Sequence, residues 1–192
     1  YYFFHIIFPM IFLRIINGNT KIRFDKKLIN PFLFTISLIS VFVSKYNPEN
    51  VYVGSNVVHL TKDKAVNWDV ISPDLTRQLL KEDEEKAEIP GGPIQNDATG
   101  VEVYSSIFAL EESPHNEGEI WVGSDDGLIH ITRNGGESWE NITPDKIIPF
   151  QGTINKIELS SHQPGRALAA VYNYRNNDPR PHIILTNDYG KN

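Results

Sequence analysis

Apolar and polar positions along this chain switch in short bursts, and each burst ends in a turn. Ile120-Trp121-Val122-Gly123 reads as a strand, Asp125-Asp126-Gly127 as an Asp-Gly hairpin turn, and Leu128-Ile129-His130-Ile131 as a second strand. A Gly-rich turn, Thr132 to Ser138, then runs into Trp139. The same order recurs upstream and downstream. Asn47 to Gly54 and His162 to Val171 each read as a turn followed by a strand, as Pro114 to Gly123 does. A repeated strand-turn unit of this kind predicts an all-β chain built as a radial or solenoidal array.

The three closing turns define the repeat. Thr132-Arg133-Asn134-Gly135-Gly136-Glu137-Ser138-Trp139 is the fullest copy. Thr61-Lys62-Asp63-Lys64-Ala65-Val66-Asn67-Trp68 keeps the hydroxyl, the acid and the Trp. Thr186-Asn187-Asp188-Tyr189-Gly190-Lys191-Asn192 keeps hydroxyl, acid and Gly, and the next position would be the Trp. The Thr hydroxyl and the acid two residues later can accept turn N–H groups, closing the loop on itself. Gly136 and Gly190 suit a positive φ. Trp68 and Trp139 are expected to plug the gap to a neighbouring sheet, with the indole N–H on a carbonyl. The turn threonines lie 71 and 54 residues apart, so the units carry insertions.

These turns resemble the Asp-box, S/T-x-D-x-G-x-S/T-W, of sialidase-type, sortilin-type and xyloglucanase-type β-propellers. Asn134, Ala65, Asn67 and Asn192 depart from that pattern. The run from Gly91 to Leu110, with Glu112-Ser113-Pro114, is similar to a branch of large, exported bacterial propeller proteins. Tyr174-Arg175, Asp178 and Arg180-Pro181 look like the same branch. The resemblance covers roughly residues 47–192. It implies a partial β-propeller of about three four-stranded blades, since a blade takes about 40–50 residues. It also implies a structural, rim-side role for Thr61, Asp63, Trp68, Thr132, Asn134, Gly136, Ser138, Trp139, Thr186, Asp188 and Gly190. A ring closes with typically four to eight blades, so the rest of the propeller is expected from further sequence.

Residues 1–46 form a separate text, rich in Ile, Phe, Leu, Asn, Lys and Tyr, with a single glycine, Gly18, and none of the repeated Gly turns seen later. Leu28 to Ser44 runs 17 residues without a charge, after Lys21, Arg23, Lys26 and Lys27. Three readings stand side by side. The first is an export signal or anchor, the only route to a membrane and the basis for expecting a secreted or envelope location. The second is a buried strand region of the first blade, since Phe34 to Val43 favours β structure. The third is AT-rich flanking sequence read as protein.

Composition narrows the chemistry. Net charge is −6 with dispersed Lys and Arg, against a nucleic-acid surface. The absence of cysteine removes thiol catalysis, disulfides and Cys-type metal sites. The six histidines, at 5, 59, 115, 130, 162 and 182, show no i, i+2 or i, i+4 pairing, so no metal and no cofactor is expected. A glycoside hydrolase needs two carboxylates about 5–5.5 Å or 6.5–9.5 Å apart. Asp97, Glu102, Asp125 and Asp126 are the candidates, although Asp125-Asp126-Gly127 has the chemistry of a hairpin turn. Sugar subsites need free aromatic faces, which leaves Trp121, Tyr104, Tyr172 and Tyr174, with Trp121 expected in the core. The expectation is a fragment of an exported carbohydrate- or peptide-binding scaffold, with Glu102, Tyr104, Arg175 and Arg180 lining its channel. Part of a xyloglucanase-like hydrolase is the alternative.

Overall fold

The computed structural model describes residues 40–77, 105–144, 146–149 and 151–191. They form three antiparallel sheets, each a meander of strands in chain order. The first contains β1 (Val41–Val43), β2 (Val51–Gly54), β3 (Val58–Thr61) and β4 (Asp69–Val70). The second contains β5 (Ile107–Glu112), β6 (Ile120–Ser124), β7 (Ile129–Thr132) and β8 (Glu140–Asn141). The third contains β9 (Thr153–Leu159), β10 (Ala167–Asn173) and β11 (Asp178–Thr186), with a 3-10 turn, Tyr174–Asn176, between the last two.

The sheets pack face to face, and the second lies between the other two. That position explains why β6 is buried at every residue instead of alternating with solvent. One face of the second sheet gives Leu110, Ile120 and Val122 to a core shared with Tyr52, Val58 and Leu60 of the first. The other gives Ala109, Trp121, Ile129 and Ile131 to a core shared with Ile154, Ile157, Ala167, Ala169 and Val171 of the third. Trp121 is therefore a core residue, its indole N–H donated to Glu119 Oε1 at 3.1 Å. Both seams are tightened by a glycine at the end of a second strand. A Cβ on Gly54 would stand 2.7 Å from Ile107 Cγ2, and one on Gly123 would collide with Ile154.

The all-β reading stands, but the partial β-propeller is corrected. The sheets have four, four and three strands, and among the described residues none closes into a barrel or ring. Closure would require the outer face of the third sheet to be covered. Instead Leu168, Ile183 and Leu185 on it are 45%, 73% and 46% exposed. Val41–Val43, inside the segment read three ways from the sequence, pairs with β2, Val41 opposite Val53. The export-signal and flanking-sequence readings of residues 1–39 lie outside the described residues.

Candidate functional site

The strands give the molecule two ends. The three Thr-x-Asp/Asn turns share one end, where they follow β3, β7 and β11. Thr61 Oγ1 donates to Asp63 Oδ1 at 2.9 Å and accepts the Ala65 N–H at 3.0 Å. Thr132 does the same with Asn134 and the Gly136 N–H, at 2.9 and 3.0 Å. Thr186 does so with Asp188 and the Gly190 N–H, at 3.0 and 2.9 Å. The Ser138 N–H donates to Asn134 Oδ1 at 3.0 Å, so an amide oxygen serves here as the carboxylate serves in Asp63. Trp139 donates its indole N–H to the Ile71 carbonyl at 2.9 Å. Trp68 is half-buried. The polar groups of these turns are taken up by one another.

The opposite end carries more varied chemistry. It gathers the β6–β7 hairpin, Ser105 and Ser106 before β5, the start of β9, and the turn between β10 and β11. Asp125 is 2% exposed, and its Oδ1 accepts the Ser106 N–H at 2.8 Å. Its carbonyl accepts the Thr153 hydroxyl at 2.9 Å. Asp126 is fully buried, accepting the Arg77 N–H at 2.7 Å on Oδ2 and the Ser124 hydroxyl on Oδ1. Burial pushes the Asp126 carboxyl above the usual carboxylate range, against those hydrogen bonds. Arg77 closes the loop by donating Nε–H to the Asp126 carbonyl at 2.9 Å. Asp125 and Asp126 thus anchor a turn and tie residues 72–77 to the second sheet. Neither presents a carboxylate to solvent.

Of the four channel candidates, Glu102 and Tyr104 lie outside the described residues, as does Asp97. The structure does not bring the other two together. Arg175 is 6% exposed and donates to Thr153 Oγ1 at 3.5 Å. Arg180 lies on the exposed edge of β11, with Nε and Nη2 on the two Asp178 oxygens at 2.7 and 2.9 Å. That pairing holds the Asp178 carboxyl well below the usual carboxylate range.

The residues that do converge are Tyr172, Tyr174 and Arg175. Tyr172 lies near the end of β10 and Tyr174 opens the 3-10 turn that follows, and their rings stack at 4.9 Å with 24° between planes. Tyr174 is 42% exposed. Tyr172 is half-buried, and burial raises its hydroxyl pKa while Arg175 pulls it back. The pair is a tyrosine platform with a guanidinium at its base. Its sequence signal was Tyr-x-Tyr at a strand end, and the contribution of Thr153 carried no local signal. Among the described residues no three His, Cys, Asp or Glu are grouped to hold a metal.

No family model and no curated protein matches the chain. Among solved structures it is similar to an ancestral GH74 enzyme, at 14% identity and TM-score 0.48, over 80% of this chain and 18% of that one. It is similar to YCF48 from Cyanidioschyzon merolae at 16% identity and TM-score 0.46, over 79% and 37%. It is also similar to the GH74 xyloglucanase from Xanthomonas campestris, at 14% and 0.39, over 79% and 28%. The chain spans less than two fifths of the length of each. The Asp-box, BNR-repeat and sortilin-like assignments are corrected with the ring, since no family model supports them and no ring forms among the described residues. The turns stand as hydrogen-bonded turns.

Proposed function

We propose that this chain is a binding scaffold without catalysis of its own, and that its ligand surface is the end bearing Tyr172, Tyr174 and Arg175. The observation that carries this reading is the stacked tyrosine pair, half of it open to solvent, beside a buried guanidinium. Apolar ring faces with a few fixed polar groups suit a sugar ring or a short peptide, whose surfaces alternate in the same way. The ligand class is therefore a glycan or an extended peptide, met in a secreted or envelope setting.

The hydrolase alternative needs two carboxylates facing one substrate. Asp125 and Asp126 are held by backbone N–H groups away from solvent, which favours the scaffold. The test is a titration of the chain with xyloglucan oligosaccharides and with a panel of unstructured peptides. One class should bind saturably, and Tyr174→Ala should weaken it about tenfold, the range of one aromatic contact. Equal affinity of Tyr174→Ala and the parent chain would remove this surface from consideration. Release of reducing sugar that survives Tyr174→Ala would favour the hydrolase.

A further inference from the structure

The three Thr-centred turns use two kinds of acceptor. In the first and third it is a carboxylate, Asp63 and Asp188, and in the second it is the amide of Asn134. Each turn then holds the next residue in the left-handed region, with Lys64 at φ 62, Tyr189 at φ 64 and Gly135 at φ 70. Side chains occupy this position after the two acids, so the backbone alone does not demand a glycine there. The glycine follows only the amide.

Asn134 and Gly135 are both exposed, and beyond the chain neighbours no heavy atom lies within 4 Å of where a Gly135 Cβ would stand. With no side chain on Gly135, nothing on that residue shields its main-chain nitrogen from the adjacent carboxamide. Its N–H is held by the Gly118 carbonyl at 2.9 Å. The turn is also shaped for a carboxylate at this place. Asn134 Oδ1 accepts the Thr132 hydroxyl at 2.9 Å and the Ser138 N–H at 3.0 Å, bonds that an acid oxygen makes equally. Nδ2 donates to Ser138 Oγ at 2.9 Å, and an oxygen there would accept the Ser138 hydroxyl proton instead. Asp63 makes the matching set, with Oδ1 on the Thr61 hydroxyl and the Asn67 N–H, and Oδ2 on Asn67 Nδ2.

We propose that Asn134 is a self-modification site, which loses its amide and becomes the kind of carboxylate the other two turns already carry. Gly135 N forms a bond to Asn134 Cγ, the Cγ–Nδ2 bond breaks, and Nδ2 leaves as ammonia with the Gly135 proton. Water then adds to Cγ of the five-membered imide and the new Cγ–N bond breaks. The main chain is restored and a side-chain carboxylate remains. One water is consumed and one ammonia released, with no change of oxidation state. The Gly118–Gly135 hydrogen bond is the gate, because attack needs that nitrogen free of its acceptor. Conversion adds a negative charge at the turn end and makes the turn's hydrogen bonds charge-assisted. The tyrosine platform takes no part in it.

The test holds the purified chain in mildly alkaline buffer and follows the amide-to-acid mass gain of the peptide carrying residue 134. Exposed Asn155, followed by Lys156, is the reference within the same folded molecule. Residue 134 should convert about tenfold faster than residue 155, the scale of an unhindered against a hindered approach. Gly135→Lys, on a backbone position that carries Lys64 in the first turn, should bring residue 134 down to the reference rate. Urea should speed residue 134 about tenfold by opening the gate. Asn134→Asp should melt about 2–4 °C above the parent chain, and the converted parent should melt with it. Equal conversion at residues 134 and 155 overturns the site. An unchanged rate in Gly135→Lys overturns Gly135 N as the attacking group, and an unchanged rate in urea overturns the gate. Melting of Asn134→Asp at or below the parent overturns the fit of the turn to a carboxylate.

Discussion

The two inter-sheet seams share their middles and differ at one end. In each, a glycine on the second strand lets an isoleucine from the next sheet come close, Gly54 with Ile107 and Gly123 with Ile154. In each, a Thr-centred turn folds back on an isoleucine through a glycine. Only the first then receives an indole, while the second keeps an open groove. Strand-level packing is thus sufficient to join two sheets, and the turn supplies a separate closure. Trp139 bonds a carbonyl 68 residues away, so it fixes the turn and the sheet spacing together.

The harshest way to break the comparison is Trp139→Ala, which should make the first seam resemble the second. It should cost about 3–5 kcal/mol in denaturant unfolding, the range for truncating a large packed aromatic. A loss below about 1 kcal/mol would mean the indole is incidental to the seam.

Next come the paired glycines. Gly136 has φ +100 and no room before the Ile71 carbonyl, whereas Gly190 has φ +80 and meets the more yielding Ile142 side chain. Gly136→Ala should cost about 2 kcal/mol and Gly190→Ala about 1 kcal/mol. The reverse order in chemical denaturation would undo the assigned correspondence of the turns.

The seams should also part with pH. His130 on β7 is the cross-strand partner of Val122, on the face toward the first seam. Burial lowers its pKa to about 4, and Nδ1 has no hydrogen-bond partner. The folded value lies below the ordinary value of 6.5, so this contribution is complete above pH 6.5 and is lost as pH falls toward 4. Comparing the chain with His130→Leu, the parent should lose about 2 kcal/mol more across that window, less than the full shift because the ring keeps some contact with water. Parallel pH profiles would contradict the burial assigned to His130.

The smallest effect concerns the first turn, where Lys64 and Ala65 sit at φ 62 and 69, the places of Gly135 and Gly136. Ala65→Gly should stabilise by up to about 1 kcal/mol by relieving the left-handed conformation. Destabilisation in thermal melts would show that the alanine methyl makes a useful contact.

Legibility followed sequence distance. A Thr hydroxyl and an acid two residues on meet in any tight turn, so the local bonds of residues 61–67, 132–138 and 186–190 follow from spacing. The hairpin at Asp125-Asp126-Gly127 was equally local. Its carboxylates were not, because Ser106 and Arg77, their N–H donors, come from 19 and 49 residues away. Arg175 and Arg180 looked alike as neighbouring channel candidates. The chain buries the first beside Thr153, while Asp178 takes the second at the surface.

By itself the sequence determined an all-β chain, the position of its turns, and the residues whose hydroxyl, acid and glycine chemistry closes them. All of these are set by alternation and by contacts within a few residues. The tertiary structure alone decided that among the described residues the sheets remain open and not a ring, that the paired aspartates are buried anchors, and that Tyr172 and Tyr174 stack into a platform with Tyr174 exposed. The physical reason is that burial and pairing across a seam depend on which face meets which sheet. A period of two along the strand specifies that a face exists, and only packing specifies what covers it.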